Sequence, residues 1–394
     1  MAKEVAIVIA AAVRTPMGGF QGSLSSVAAP TLGATAIKAA IARAGIAGEQ
    51  VDEVLMGCVL PAGLRQAPAR QATLGAELPL SVGATTLNKV CGSGMKTVMM
   101  AHDLIKAGSA EVVVAGGMES MSGAPYLLDK ARGGLRMGHG SVYDHMMFDG
   151  LEDAYTGGAM GTYAQATADQ YGLTREQMDA FALESLRRAN AAIETGAFEA
   201  EIEPVTYQTR KGDVTVSMDE QPGNARPDKI PALRPAFAKD GSITAANSSS
   251  ISDGAAALIV TTEAYAHANE MPILAKIIGH STHAQEPAEF TLAPVGAVSK
   301  LLNKLEWTTD DVDLFELNEA FAMVTMLATS ELGLDPAKVN VNGGACALGH
   351  PIGCSGTRII VTLLHALKAR GLQRGVASLC IGGGEATALA VELV

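Results

Sequence analysis

Aromatic side chains are scarce in this 394-residue chain, at 4% with a single Trp, and charged residues reach only 18%. An interior built instead from Ala, Gly and Val, with 48% hydrophobic residues overall, implies helices packed closely on sheets and an α/β class. Basic clusters are also missing, and the net charge is −12. Nucleic-acid and anionic-membrane partners are therefore not expected. No apolar run is long enough for a transmembrane helix. In the opening MAKEVAIVIAAAVRTPMGG an acidic residue precedes the apolar stretch, which reads as a first strand rather than a signal peptide. Only five cysteines occur (Cys58, Cys91, Cys346, Cys354 and Cys380), an odd set without disulfide rhythm, so a reducing cytoplasm is the expected compartment.

What the chain does have is an internal duplication, displaced by about 262 residues. The segment from Ile37 to Val54 lies in register with that from Val298 to Phe315, each a helix running into a Val-Asp and a strand. Ser93-Gly94 and the helix ending at Gly108 match Ser355-Gly356 and a helix ending at Gly371. Both lead to strands that end in Gly-Gly. The alternation predicts a mainly parallel sheet covered on both faces, in two halves related by a pseudo-twofold. Residues 121–251 have no counterpart in the second copy and read as an inserted lobe. Its clearest helix starts at a Thr174/Gln177 capping box, carries Met178, Phe181, Ala182, Leu186 and Ala189 on one face, and stops before Gly196. The expected domains are residues 1–120, completed by 252–272, then 121–251 as the inserted loop domain, and 273–394.

Cys91 falls in LNKVCGSGM, where an apolar approach ends at a glycine turn and a helix begins. A thiol at a helix N-terminus is biased toward thiolate, which marks Cys91 as a candidate nucleophile. Its counterpart is Gly353, and that of His350 is Asn88, so the halves differ in polar residues at matching sites. His350 lies between Gly349 and Pro351 and must be displayed from a loop. The pseudo-twofold places that loop at the same end as Cys91, which makes a Cys–His pair plausible. The other seven histidines, His102 and His280 among them, are assigned structural roles. Cys346, His350 and Cys354 recur every four residues, but the glycines and proline exclude the helix that would align them, so no metal is expected. Asn318 interrupts an apolar strand in LFELNEAFAMV, either as a helix cap or as an amide holding a water or carbonyl. Cys380 ends a strand before three glycines whose amides, Gly382 first, are placed to bind an oxyanion.

These motifs resemble the thiolase family, and most nearly its short-chain acetoacetyl-CoA members. The resemblance is carried by NKVCGSGM (Asn88 to Met95), GGMESMS (Gly116 to Ser122), NEAFA (Asn318 to Ala322), NGGACALGHPIGCSGTR (Asn342 to Arg358) and CIGGG (Cys380 to Gly384), and covers essentially the whole chain. It implies a thiolase-like five-layered α-β-α-β-α fold from two duplicated halves with an inserted loop domain. It also implies acetyl-CoA C-acetyltransferase chemistry, the reversible condensation of two acetyl-CoA to acetoacetyl-CoA and CoA, with a broader 3-ketoacyl-CoA chain range as the alternative. In that scheme Cys91 carries the acyl group, His350 takes its proton and Cys380 moves the α-proton. The N–H groups of Cys91 and Gly382 form one oxyanion site, and His350 with a water on Asn318 forms the other. No cofactor beyond coenzyme A thioesters is required. Ser249, Met160, Phe237, Ala320 and Phe321 would line the acyl and pantetheine channel, and Arg226 or Lys229 would meet the CoA phosphates. The stretch from Ala131 to Gly138 resembles a tetramerisation loop, implying a homotetramer, and the activity belongs to fatty acid metabolism. The chain departs from the family pattern at Ala159, Ser250, Phe290 and Glu385. A decarboxylating ketoacyl synthase and a silent CoA-binding protein of the same fold are the competing readings.

Overall fold

The computed structural model describes residues 5–394, so the first four residues of the expected first domain lie outside it. The first half comprises β1 (Ile7–Arg14), α1 (Ala29–Ala44), β2 (Glu53–Gly57), α2 (Pro68–Gly75), β3 (Gly83–Leu87), α3 (Ser93–Lys106) and β4 (Val112–Ser120). After an inserted segment holding α4 (Met160–Gln170) and α5 (Arg175–Glu194), β5 (Ser252–Thr262) completes it. The second half runs β6 (Ala275–Ala284), α6 (Ala293–Leu305), β7 (Leu314–Leu317), α7 (Ala322–Glu331), α8 (Ser355–Arg370), β8 (Arg374–Ile381) and β9 (Glu385–Leu393). The two series correspond element by element, and the partner of β3 is reduced to the bridge between Phe315 and Val339.

The strands join in the order β7-β8-β9-β6-β1-β5-β4-β2-β3, with Gly18–Gly19 against β5. This sheet is mixed, not mainly parallel. The pairs β2–β3, β2–β4 and β7–β8 are parallel, whereas β4–β5, β1–β5, β8–β9 and β6–β9 are antiparallel. A fully buried strand is apolar on both faces whichever way its neighbour runs, so the sequence pattern could not report direction.

Five layers follow from three apolar clusters. In the first, α1 and α2 cover one face of the first-half sheet through residues such as Leu32, Ile37 and Val114. In the middle, α3 and α8 lie between the two halves and share Met95, Val98, Ile359 and Leu363 with strands of both. The third seats α6 on the outer face of the second half through Val298, Leu301 and Val376. The inserted helix α5 behaves as its sequence predicts. Thr174 Oγ1 accepts from the Gln177 N–H at 3.3 Å, and the Gln177 side chain accepts from the Thr174 N–H at 2.9 Å. Met178, Ala182, Leu186 and Ala189 are buried.

An ion-paired network absent from the sequence reading ties the insertion to the core. The fully buried Arg14 guanidinium donates to Glu201 at 2.5 Å and to both oxygens of Asp219 at 2.6 and 2.8 Å. Desolvation at such a site is tolerated only because the charges are paired and hydrogen-bonded together.

Glycine sets how closely the halves meet. A Cβ on Gly117, near the end of β4, would lie 2.0 Å from the Gly353 carbonyl oxygen, and one on Gly356 would lie 2.3 Å from the Met95 nitrogen. Backbone therefore touches backbone across the pseudo-twofold. Gly117→Ala should destabilise the chain by about 1–3 kcal/mol and lower catalytic activity beyond what the stability loss explains, because the Gly353 loop also carries His350. Urea unfolding and steady-state rates on the same preparation measure both, and a fully active, wild-type-stable variant would contradict this account.

Candidate active site

The turn before α3 holds Cys91. Val90 adopts φ 46°, a left-handed conformation that a β-branched residue enters only under constraint. The constraint is local: the Asn88 side chain accepts from the Val90 N–H at 2.9 Å. Ser93 Oγ accepts from the Lys89 N–H at 2.8 Å and donates to the Val90 carbonyl at 2.7 Å. The helix then starts at Ser93, two residues past the thiol.

The expected bias of Cys91 toward thiolate is not what this site provides. Burial pushes the thiol up to about 11, against the pull of the Gly382 and Cys91 N–H groups, while the Glu119 carboxylate adds to the rise. Desolvation outweighs the helix dipole, and the resting sulfur is a neutral thiol. The two opposing N–H groups are the pair expected to bind an oxyanion.

His350 sits on the loop before α8 and is buried. Burial, with the nearby Arg358 cation, pushes its imidazole down to about 3. At neutral pH it is an uncharged base. Its tautomer is set by Ser355, whose hydroxyl donates to the Pro351 carbonyl at 3.0 Å and lies 2.5 Å from His350 Nδ1. With its only proton committed, Ser355 accepts, so Nδ1 carries the hydrogen and Nε2 keeps the lone pair. Nε2 has no partner among the described residues, and the same holds for both amide atoms of buried Asn318. Asn318 does not cap α7, whose N-cap is Phe321 without a side-chain bond. Ser355 was visible in the sequence only as part of the duplicated Ser-Gly pair, and its role needs the three-dimensional turn.

Cys380 is the penultimate residue of β8, fully buried, its thiol held well above the usual range by burial and by the proximity of Cys91. The glycine run that follows turns through φ 90° at Gly383 and 86° at Gly384. Cys91, His350, Cys380 and Gly382 open together onto one cavity of about 490 Å³. Met160, Phe237, Ser249, Ala320 and Phe321 line the same cavity. Ser249 is fixed there by its N–H to the Ala320 carbonyl at 2.9 Å. Phe321 packs edge-on against Phe237 and Phe290, at centroid distances of 6.2 and 6.5 Å. Phe290, a departure from the family pattern, thus helps close the apolar end. Met147, Leu151 and Ile251 also line the cavity and were not anticipated; their apolar character carries no local signal.

Arg226 does not reach this cavity. It lies with Lys229 on an adjoining trough of about 330 Å³ that shares Gln221, Ala245 and Ser250 with it. A ligand with an extended arm and an anionic end can therefore run from the two thiols to exposed cations. Cys346, His350 and Cys354 do not converge on a metal-binding geometry. Cys346 donates to the Glu319 carbonyl at 3.7 Å, and Cys58 and Cys354 are buried.

Glu385, another of the four departures from the family pattern, forms an ion pair with Lys89. This pair links the nucleophile turn to the strand that follows the Cys380 loop.

A duplicated α/β fold with a thiol, a neutral imidazole and a second thiol around preformed backbone donors defines a cysteine-dependent acyl-transfer site. Two family models match, the thiolase N-terminal domain over residues 7–264 and the thiolase C-terminal domain over residues 271–393. The chain belongs to the thiolase family. Among its relatives, the acetyl-CoA acetyltransferase of Escherichia coli is 53% identical, with 98% of each chain covered. That of Pseudomonas aeruginosa is 50% identical over 97% of this chain and 98% of its own. The crystal structure of a thiolase from Ascaris suum in complex with coenzyme A superposes with a TM-score of 0.94 at 42% identity, covering 99% of this chain and all of that one. The Bacillus anthracis acetyl-CoA acetyltransferase gives 0.97 at 42% identity over both full lengths.

Two predictions follow from the site itself. His350→Ala should slow alkylation of Cys91 by iodoacetamide at pH 7 by about 10²-fold, after which the rate should climb with pH toward about 11, where the free thiol ionises. Undiminished alkylation at pH 7 would remove His350 as the base. Glu385→Gln should leave the fold intact yet lower kcat by about three- to tenfold, since an incompletely buried ion pair contributes about 0.2–1 kcal/mol and misplacement of the loops adds to that. The expected loss is in kcat more than KM, and it should be partly restored by the charge swap Lys89→Glu with Glu385→Lys; a wild-type kcat in the single variant would show that the pair positions nothing.

Proposed function

We propose that this chain is an acyltransferase that condenses two acetyl-CoA molecules to acetoacetyl-CoA and CoA, reversibly, through an acyl-Cys91 intermediate. The observation that carries this reading is the convergence of a partly exposed thiol, a buried thiol and a neutral imidazole on one apolar cavity. The names of its half-identical relatives support the acetyl group as substrate.

In the forward direction His350 Nε2 takes the Cys91 proton as the sulfur attacks the thioester carbonyl. The oxyanion that forms is held by the Cys91 and Gly382 N–H groups. On collapse the C–S bond to CoA breaks, and the departing sulfur takes the Cys380 proton, leaving acetyl-Cys91, free CoA and a Cys380 thiolate. That thiolate removes an α-proton from a second acetyl-CoA. The enolate oxygen is stabilised by the protonated His350 and a water on Asn318. The carbanion attacks acetyl-Cys91, the Cys91 sulfur leaves, and His350 returns its proton. All groups end as they began, and none of these steps draws on a cofactor beyond the CoA thioesters themselves.

The same reading includes the pantetheine along Ser249, Met160, Phe237, Ala320 and Phe321, with the phosphates toward Arg226 and Lys229. It also includes the division of the chain into residues 1–120 completed by 252–272, 121–251 and 273–394. Leu135 and Met137 are exposed at 48% and 99% on the glycine-rich loop of the insertion, which supports a homotetramer assembled through that loop. Among the described residues no helix is long and apolar enough to cross a membrane.

Two variants test the chemistry. With radiolabelled acetyl-CoA, Cys91→Ala should trap no label, whereas Cys380→Ser should acetylate but fail to release acetoacetyl-CoA. Full condensation by the Cys380 variant would overturn the assignment. Thiolysis measured across acetoacetyl- and longer 3-ketoacyl-CoA substrates should favour the shortest, because Phe237, Phe290 and Phe321 close the apolar end.

A further inference from the structure

The C-terminal part of α3, the helix that follows Cys91, carries His102 and Asp103, and β6 of the other half carries His280. In the fold these three meet. Asp103 Oδ1 lies 2.9 Å from His102 Nδ1 and 3.0 Å from His280 Nε2. All three donor atoms fall within 4.8 Å of one another, and the imidazole rings meet edge-on at 5.0 Å. The His side chains are 11% and 14% exposed, and Asp103 is 57% exposed. The sequence reading left both histidines in structural roles because a lone His is more often structural than functional, and 178 positions separate the two along the chain.

We propose that His102, Asp103 and His280 form a binding site for a borderline divalent cation of the zinc type, set across the two halves and separate from the catalytic cavity. Three donor atoms within 4.8 Å of one another, with Asp103 open to solvent, supply the ligand set of a three-ligand tetrahedral site that keeps a water. Bonds of 2.0–2.1 Å place tetrahedral ligands roughly 3.3 Å apart, a little wider than the 2.9 and 3.0 Å contacts and inside the 4.8 Å span of the three atoms, so the rings turn off the Asp103 oxygen to admit an ion. Two nitrogen donors and a single carboxylate disfavour Ca²⁺ and Mg²⁺, which take oxygen. Lys304 is the neighbouring cation, its ammonium occupied at 3.4 Å by the His280 carbonyl. On binding, each neutral ring moves its one proton to the nitrogen facing away from Asp103. The site lies roughly 15 Å from the start of α3, so its metal would brace the helix without touching the reacting atoms.

The test is zinc titration by calorimetry on full-length protein stripped with chelator, with Cys91 first alkylated so that the catalytic thiol and imidazole do not compete. The wild type should take one equivalent per chain at this site and gain thermal stability from it. His280→Ala and, as a nearly isosteric check, Asp103→Asn should each weaken that binding by about tenfold or more and lose the zinc-dependent rise in Tm. Without zinc and without alkylation, both variants should keep wild-type thiolysis. In cobalt-loaded wild type a visible d–d spectrum should be present, and it should be lost in His280→Ala. Equal zinc affinity in wild type and both variants, or no zinc uptake by the alkylated wild type, would overturn the site.

Discussion

Everything chemical in this molecule depends on how near two backbones come at the pseudo-twofold. The Gly353 carbonyl occupies the space a Cβ on Gly117 would need, and Met95 occupies that of one on Gly356. Thr357 Oγ1 completes the contact by donating to the Gly94 carbonyl at 2.8 Å. Because α3 and α8 are clamped at their N-terminal ends, the loops entering them open in the same place. One loop brings Cys91 and the other brings His350. A layer of side chain inserted between the halves would separate the proposed nucleophile from its proposed base by more than proton transfer allows.

The contact also places charge. Glu119, at the end of β4, accepts from the N–H groups of Val59 at 2.9 Å, Leu60 at 3.1 Å and Gly353 at 2.9 Å. A first-half carboxylate thus orders the second-half loop that carries His350. The same burial that makes the clamp tight neutralises the reacting groups: it raises Cys91 and Cys380 and lowers His350. The resting site is therefore a thiol beside an imidazole, not a preformed ion pair. In the mechanism proposed above the proton moves as the sulfur attacks, and the fixed N–H groups of Cys91 and Gly382 meet the negative charge where it then appears. Donors fixed in the backbone need no reorganisation during such a reaction.

Much of this was legible in the chain because periodicity and punctuation report local structure. The helix after Cys91, the Thr174 capping box and the register of the two halves all rest on residues near one another in sequence. What was missed depends on distant pairing. Strand direction is silent where both faces are buried, so the mixed sheet could not be separated from a parallel one. Arg14 meets Glu201 and Asp219 across the insertion, and nothing near Arg14 announces two acids some two hundred positions away. The thiolate expectation erred for a different reason. It weighed the helix dipole, a local effect worth about 0.3–1 kcal/mol at exposed sites, without the desolvation that only the folded cavity reveals. The motif positions Cys91, His350, Cys380 and Gly382 came together at one cavity, whereas Arg226 stands on the adjoining trough.

The duplication explains why one site arises from two similar halves. Symmetry in the backbone gives two equivalent loop positions, but identical residues at both would place two thiols or two imidazoles face to face. Neither pair contains both a nucleophile and a neutral base at pH 7. Cys91 opposite Gly353, and Asn88 opposite His350, break the degeneracy at the positions that matter. Asn88 turns inward to its own loop, where its side chain accepts from the Val90 N–H and so holds the strained turn. His350 turns to Ser355, which fixes its tautomer. One copy of the position therefore shapes the nucleophile's backbone while the other supplies its base, and the clamp at the glycines makes the two tasks serve one sulfur atom.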